Sequence, residues 1–129
     1  MSRSDQVTVE TLQAFADAFD RHDADAVMEF MTDDCVFVLS WGPEVDGQRF
    51  EGRDAVRAGF LSVWAMYPDA KWRDPVHFVA GNRGVSEWCF TGTSVHGGRV
   101  EVNGCDLFTF EGGRIRVKDS YRKIHTPRD

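Results

Sequence analysis

The sequence predicts an α+β fold: two helices, a strand, a third helix and then a four-stranded antiparallel meander. Apolar residues recur at helical spacing in residues 8–22 and 53–67, whereas residues 70–123 alternate between apolar and polar side chains. Tight-turn sequences at residues 81–84 and 112–113 divide the alternating part into hairpins. Segregated helices and strands are typical of this class, and a strongly twisted sheet would curl around the helices and enclose a cavity.

The three helices are marked by residues that start or stop helical structure. Thr8 is a suitable N-cap for the first helix, at residues 8–22, and Asp23 is a suitable N-cap for a short second helix. The third helix covers residues 53–67. It ends before Pro68, because a proline disfavours helical backbone in the residue that precedes it.

The strands are short apolar or alternating runs between turns. The first, at residues 35–40, follows a predicted turn at residues 32–34. Pro75 lacks a backbone N–H, so we expect its strand to lie at an edge of the sheet or to carry a bulge. The meander strands are predicted at residues 70–80, 85–95, 98–110 and 114–123.

The hairpin at residues 98–123 carries the strongest functional signal. If the glycines at 112–113 form a two-residue loop, Asp106 lies directly opposite Asp119. Both acids then share a face with two phenylalanines, an isoleucine and a valine, and this apolar face should point inward. A one-residue bulge or a longer loop would instead shift the register and separate the two acids.

Two opposed carboxyl groups on an apolar face invite a functional explanation. Their Cβ atoms would lie about 4.5–5.5 Å apart, and one carboxyl would keep its proton well above the usual pKa of about 3.9. A protonated acid beside an ionised one supplies a general acid and a general base. Asp106 and Asp119 are therefore predicted to be catalytic, with Tyr121 assisting by hydrogen bonding. In this register Tyr121 also lies opposite Gly104 and covers the gap there.

Composition excludes several classes of function. The 129-residue chain has a net charge of −6 with interspersed signs, which does not favour binding to nucleic acid or to anionic membranes. Its three cysteines are odd in number and widely spaced, which indicates reduced thiols in a cytoplasmic protein. We find no motif for a metal, a nucleotide or another cofactor, and expect none. One domain is predicted over residues 1–129, with short flexible tails at 1–6 and 125–129.

Three stretches of the chain resemble the nuclear transport factor 2-like superfamily, and within it the SnoaL-like (polyketide cyclase-like) branch. They read FADAFDRHDADAVMEFMTDDCVF, FEGRDAVRAGF and GCDLFTFEGGRIRVKDSY. The resemblance implies a cone of strongly curved antiparallel sheet that three N-terminal helices close. It also implies a ligand site at the opening of the cone and a homodimer formed through the sheet.

The resemblance assigns catalytic residues only in part. Asp106 matches the protonated oxyanion-hole aspartate of the ketosteroid isomerases in this superfamily. Phe15, however, stands where those enzymes are expected to have a catalytic tyrosine, and their general-base aspartate falls on or beside Leu39. Asp119 resembles an acid of the limonene-epoxide-hydrolase-like members. In the cyclase-like members a pocket acid acts on a polycyclic substrate, and either Asp106 or Asp119 could fill that place.

These observations favour a cofactor-independent isomerase, cyclase or dehydratase that uses the Asp pair on an apolar small molecule. The alternatives are a non-catalytic binding or carrier protein for such a molecule, and a structural dimerisation domain, which the lack of a cavity behind Asp106 would favour. Which of Glu87 and Trp88 points inward depends on the loop at residues 96–98 and stays open. The predicted substrate pocket is aromatic and consists of Phe15, Phe19, Trp41, Phe60, Trp64, Trp88 and Phe108.

Overall fold

A computed structural model describes residues 6–126 and 128 of the chain. Its helices are α1 (Val9–Asp20), α2 (Ala24–Glu29) and α3 (Arg53–Met66), close to their predicted bounds. Thr8 caps α1 in a reciprocal capping box, and Asp23 caps α2 by accepting from a backbone N–H, so both predicted caps are confirmed. Of the predicted tails, residues 1–5, 127 and 129 lie outside the described residues.

The described residues form one curved, unclosed sheet that wraps around the helices. In it the strand order is β2-β1-β6-β5-β4-β3, where β1 and β6 run parallel and all other neighbours run antiparallel. The α+β cone expected from the sequence is confirmed. The strands are β1 (Met31–Val38), β2 (Arg49–Glu51), β3 (Lys71–Ala80), β4 (Arg83–Thr93), β5 (Arg99–Glu111) and β6 (Arg114–Arg122).

The first strand departs from its prediction. The turn expected at residues 32–34 is wrong, because β1 already begins at Met31, which pairs with Ile115 of β6. An irregular register between Met31 and Val36 leaves the acids of the 32–34 segment exposed within the strand. The short β2 was not predicted, because three residues after a turn-rich segment are too few to show an alternation.

Pro75 lies at a position in the sheet where its missing backbone N–H is tolerated. Its strand, β3, is an edge strand of the sheet, and the register between Arg73 and Val76 is irregular. Asp74 within this irregularity adopts a left-handed φ of +53°. The prediction of an edge strand or a bulge is confirmed in both respects.

The turn of the last hairpin is as predicted, but the strand after it contains a bulge. The glycines at 112–113 have φ values of +59° and +78°, as a type I′ turn requires. Phe110 pairs with Ile115, but Arg116 has no partner on β5. Because side chains alternate along a strand, this one extra residue exchanges the two faces of β6 from that point onward.

The predicted pairing of Asp106 with Asp119 is therefore wrong. Asp106 lies opposite Ser120 on the inner face of the sheet, whereas Asp119 lies opposite Leu107 on the outer face. The bulge instead directs Lys118 into the interior, where only 3% of its surface is exposed.

The gap above Gly104 is filled by a different aromatic ring from the one predicted. Gly104 pairs with Trp88 of β4 and with Arg122 of β6, and the Trp88 ring occupies the space that a side chain at 104 would need. Tyr121 is about half exposed on the outer face. The question left open by the sequence is thereby answered, since Trp88 points inward and Glu87 outward.

The core lies between the helices and the concave face of the sheet. It is rich in aromatic side chains: an edge-to-face contact of Phe15 with Phe108 joins α1 to the sheet, and one of Phe19 with Phe60 joins α1 to α3. No helix among the described residues is long and apolar enough to cross a membrane. The largest fully buried side chains include Leu12, Met31, Phe37, Phe60, Phe90 and Phe108.

Candidate functional site

A buried polar cluster lies on the inner face of β4, β5 and β6. It consists of Trp88, Asp106, Lys118 and Ser120, and we call it the Asp106 cluster. Asp106 and Lys118 are 5% and 3% exposed, so both charged groups have lost most of their contact with water. Burial of charged groups requires compensation within the protein.

The Asp106 carboxylate is satisfied by three donors. Its Oδ1 accepts from Lys118 Nζ at 3.0 Å and from Ser120 Oγ at 2.6 Å, and its Oδ2 accepts from Trp88 Nε1 at 3.0 Å. Lys118 Nζ also donates to Ser120 Oγ at 3.0 Å. Ser120 therefore links the two charges, as an acceptor from one and a donor to the other.

The Lys118 ammonium lies among aromatic rings. Its Nζ is 4.7 Å from the ring centre of Phe19, 5.0 Å from that of Phe37 and 5.9 Å from that of Phe60. Attraction to the ring faces offsets part of the cost of desolvation. Two of the three ammonium protons serve Asp106 and Ser120, so one N–H remains for another acceptor.

A narrow cavity of about 20 Å³ lies against this cluster. Lys118, Ser120 and Trp88 line it, whereas Asp106 lies behind them. A single water needs at least about 10–15 Å³, so a small-molecule ligand would need the cavity to open. The remaining walls are mostly apolar and consist of Phe19, Phe37, Leu39, Ser40, Trp41, Val63, Trp72, Phe90 and Arg122.

Arg122 closes the mouth of this cavity. Its guanidinium carbon lies 4.6 Å from the ring centre of Trp41 and 4.5 Å from that of Phe90, and its Nε donates to Ser40 Oγ at 3.1 Å. Burial lowers the pKa of Arg122 from its ordinary value. Arg122 thus connects the last strand to residues 40–48, the loop that carries Trp41.

A second polar group lies beside the cluster. His77 Nδ1 is 2.7 Å from Ser86 Oγ, and its Nε2 is 2.9 Å from Gln13 Oε1. The Gln13 amide nitrogen donates to Asp17, so the Gln13 amide oxygen faces His77. Because this oxygen can only accept, the proton of the His77 ring lies on Nε2. Ser86 then donates to Nδ1. Burial lowers the pKa of His77, although the Asp17 and Asp106 carboxylates act in the opposite direction.

Two predicted catalytic residues lie outside this arrangement. Asp119 and Tyr121 are on the outer face, where the Tyr121 hydroxyl donates to Asp119 at 3.3 Å. Partial burial raises the pKa of Asp119, and the carboxylates of Asp46 and Asp106 raise it further, while Tyr121 opposes this. The negative charge of Asp119 in turn raises the pKa of Tyr121.

The predicted aromatic pocket is divided between the cavity and the core. Phe19, Trp41 and Trp88 line the cavity. Trp41 is 41% exposed, so its ring borders the cavity from the protein surface rather than from within the packed core. The other four predicted pocket residues belong to the packed core around it and do not line the cavity; they are Phe15, Phe60, Trp64 and Phe108.

Sequence reasoning missed Lys118, Ser120 and Arg122. All three lie after the bulge, so the regular register placed them on the outer face. Electrostatics nevertheless favours the bulged register. The regular register places two acids opposite each other, which is destabilising, whereas the bulged register brings Lys118 and Ser120 to Asp106. Residues 6–126 and 128 contain no group of three or more His, Cys, Asp or Glu arranged to hold a metal ion.

Comparison with known proteins agrees with this architecture. The profile of the SnoaL-like domain matches residues 12–117, which is most of the chain. The chain belongs to the SnoaL-like domain family. No curated protein matches it.

Solved structures with the same fold cover nearly all of this SnoaL-like domain. A nuclear transport factor 2-like protein of unknown function from Mesorhizobium loti is 32% identical, with a TM-score of 0.73 and 96% of each chain covered. A proposed polyketide cyclase from Xanthomonas campestris pv. campestris is 25% identical, with a TM-score of 0.75 and 87% of each chain covered. Another, from Pseudomonas putida KT2440, is 18% identical, with a TM-score of 0.80 over 92% of this chain and 93% of its own.

Proposed function

We propose that this SnoaL-like domain is a cofactor-independent isomerase, cyclase or dehydratase that works at the Asp106 cluster. The observation that supports this most is a buried carboxylate–ammonium pair beside an aromatic cavity, with Lys118 and Ser120 facing the cavity. An ion pair buried this deeply is weak support for stability, because desolvation costs several kcal/mol per ion. A few polar groups that converge on a mostly apolar cavity are instead typical of functional sites.

The cluster can hold and move a proton without a cofactor. The free N–H of Lys118 can donate to a substrate carbonyl oxygen and stabilise the negative charge that develops when a neighbouring proton leaves. Ser120 can take up that proton while its own hydroxyl proton passes to Asp106 Oδ1, 2.6 Å away. Asp106 is then the final base, Ser120 the relay and Lys118 the electrophile.

Substrate access requires the mouth of the cavity to open. Backbone hydrogen bonds close the base of the loop at residues 40–48, from Leu39 N to Gln48 O at 2.8 Å and from Gln48 N to Trp41 O at 3.0 Å. The loop contacts the last strand through Arg122. Movement of Trp41 with Arg122 would admit a substrate and leave the sheet unchanged.

Exchange of α-protons tests this function without knowledge of the natural substrate. 1-Tetralone and 2-tetralone, each with and without a ring carboxylate, would be incubated with the protein in D₂O and followed by proton NMR. We expect at least one ketone to exchange about 100-fold faster than in buffer, as general acid–base catalysis supplies. Asp106→Asn, Lys118→Met and Ser120→Ala should each reduce the excess rate at least about 10-fold.

Asp119→Asn separates this mechanism from the one predicted from the sequence. Its side chain is on the outer face, so we expect the exchange rate to stay within twofold of wild type. Loss of exchange in Asp119→Asn, with retention in Asp106→Asn, would argue for the outer-face acid and against the Asp106 cluster. Circular dichroism of each variant identifies any loss caused by unfolding.

A second candidate function is non-catalytic binding of an apolar molecule or structural dimerisation. The size of the cavity, about 20 Å³, favours the structural domain of these two, because it leaves the interior nearly filled. A ketone that binds but is recovered without deuterium would favour a carrier. A protein that binds none of the four ketones would favour a structural domain.

Two further proposals concern the setting of the domain. We propose a homodimer formed through the outer face of the sheet, where Val76, Phe78 and Tyr121 are more than half exposed beside a groove of about 670 Å³. Sedimentation of the wild type and of a Phe78→Lys variant tests this.

A cytoplasmic location is likewise proposed, since the three cysteines are free thiols.

A further inference from the structure

The cavity carries an unbalanced positive charge. Among the described residues that line it, Lys118 and Arg122 are cationic and none is acidic. The charge of Lys118 is balanced by Asp106, which lies directly behind it at 3.0 Å. Arg122 forms no salt bridge within the described part of the chain.

Arg122 is also held in a geometry that suits a planar anion. The Trp41 and Phe90 rings, at 4.6 and 4.5 Å, restrict the position of the guanidinium, and Ser40 accepts from its Nε. A guanidinium presents five N–H donors, and its fork matches the two oxygens of a carboxylate. Partial burial would strengthen such a contact, since water competes less for the charges.

The walls of the cavity specify the rest of the ligand. Phe19, Phe37, Trp72, Trp88 and Phe90 present aromatic surface on several sides, which favours a flat, conjugated ring system. A fully apolar ligand would bury the Arg122 charge without a counter-charge, at considerable cost. An apolar ligand that also carries an anionic group would avoid this cost.

We infer that the ligand of this cavity is a planar aromatic or conjugated compound with one anionic oxygen group, and that Arg122 binds this group. The inference rests on the proposed function in that it takes the same cavity as the substrate site. Arg122 would anchor the anion, and the free N–H of Lys118 would face the oxygen at which charge develops. The substrate is thus an acid with an enolisable or dehydratable ring.

Matched pairs of acid and amide test the charge requirement directly. Binding of 2-naphthoate and 2-naphthamide, and of trans-cinnamate and cinnamamide, would be measured by isothermal titration calorimetry at pH 7. We expect the acid of at least one pair to bind at least about 10-fold more tightly than its amide, as hydrogen bonds to a charged group allow. Arg122→Gln should abolish this preference and leave the affinity for the amide within about threefold.

Two further variants control this experiment. Arg122→Lys keeps the positive charge and should keep at least part of the preference, even if Arg122→Gln folds poorly. Arg114→Gln removes an equal charge from an exposed position on the same strand and should leave the preference unchanged.

Equal affinity for acid and amide, binding of neither, or an unchanged preference in Arg122→Gln would overturn the inference. These outcomes are separate from failure of the proposed enzyme activity. A protein that prefers the acids but exchanges no α-proton would keep this ligand class and lose the enzyme. A protein that exchanges neutral ketones only would keep the enzyme and lose the role of Arg122.

Discussion

Asp119 shows how the position of one side chain decides its energetic role. Its carboxyl is partly buried on the outer face, and this burial raises its pKa. Lys118, the preceding residue, points the opposite way and has the Asp106 carboxylate as its partner. Neighbours in the sequence therefore differ in whether the fold compensates their charge.

Asp119→Asn should raise the free energy of unfolding at neutral pH. A raised folded-state pKa means that the ionised form is disfavoured in the folded protein, so the wild type loses stability as the pH rises from about 3.9 through the folded-state pKa. The variant lacks this loss. We expect a gain well below about 1 kcal/mol above that pH window, because solvent screens a partly exposed charge.

Urea unfolding between pH 3.5 and 7.5 measures this gain, which should fade toward the acid end. Glu101→Gln removes an equal charge from an exposed position of the same sheet and should show a smaller change. A variant less stable than wild type at pH 7 would mean that the contact with Tyr121 outweighs the penalty of burial.

At the scale of elements, the strand bulge on β6 decides what the site contains. The helices could be predicted because Thr8 and Asp23 cap them locally, and the Gly112–Gly113 turn because its backbone needs glycine. The bulge at Arg116 has no such local mark. Whether the strand forms this bulge depends on whether Lys118 or Val117 packs against the helices, and this packing is a tertiary effect.

The pairing of β5 with both of its neighbours, β4 and β6, depends on the absence of a side chain at Gly104. A Cβ there would overlap the backbone carbonyl oxygen of Tyr121 and come within 2.6 Å of the Trp88 ring. We expect Gly104→Ala to destabilise the protein by about 1–3 kcal/mol, as overpacking does. Displacement of the Trp88 ring should also break its 3.0 Å hydrogen bond to Asp106.

Urea unfolding and near-ultraviolet circular dichroism measure both effects. Gly92→Ala is the matched control on β4, because a Cβ there would meet its neighbours at 3.2 Å and needs only a small shift. If Gly104→Ala were as stable as Gly92→Ala and kept the tryptophan signal, the Trp88 ring would not be fixed as described.

At the scale of the whole molecule, the Asp106–Lys118 pair is a place where the stability of the fold and the proposed chemistry make opposite demands. A domain of this size has a net stability of about 5–15 kcal/mol. The pair takes up inner-face positions on the two central strands that apolar side chains could fill. The family and the cone could be inferred from sequence motifs, but this pair could not, since it exists only in the bulged register.

A double-mutant cycle on this pair separates structural from functional value. Lys118→Met leaves a buried carboxylate without its cation, and Asp106→Leu leaves a buried ammonium among aromatic rings, so each should cost about 3–5 kcal/mol in urea unfolding. The double variant removes both charges, and we expect its free energy of unfolding to lie within about 2 kcal/mol of the wild-type value. The remaining difference comes from the Trp88 and Ser120 donors, which lose their acceptor. Additive losses would instead mean that each side chain stabilises the fold independently of the other. A double variant that folds as stably as wild type but exchanges no α-proton would show that the pair is retained for chemistry.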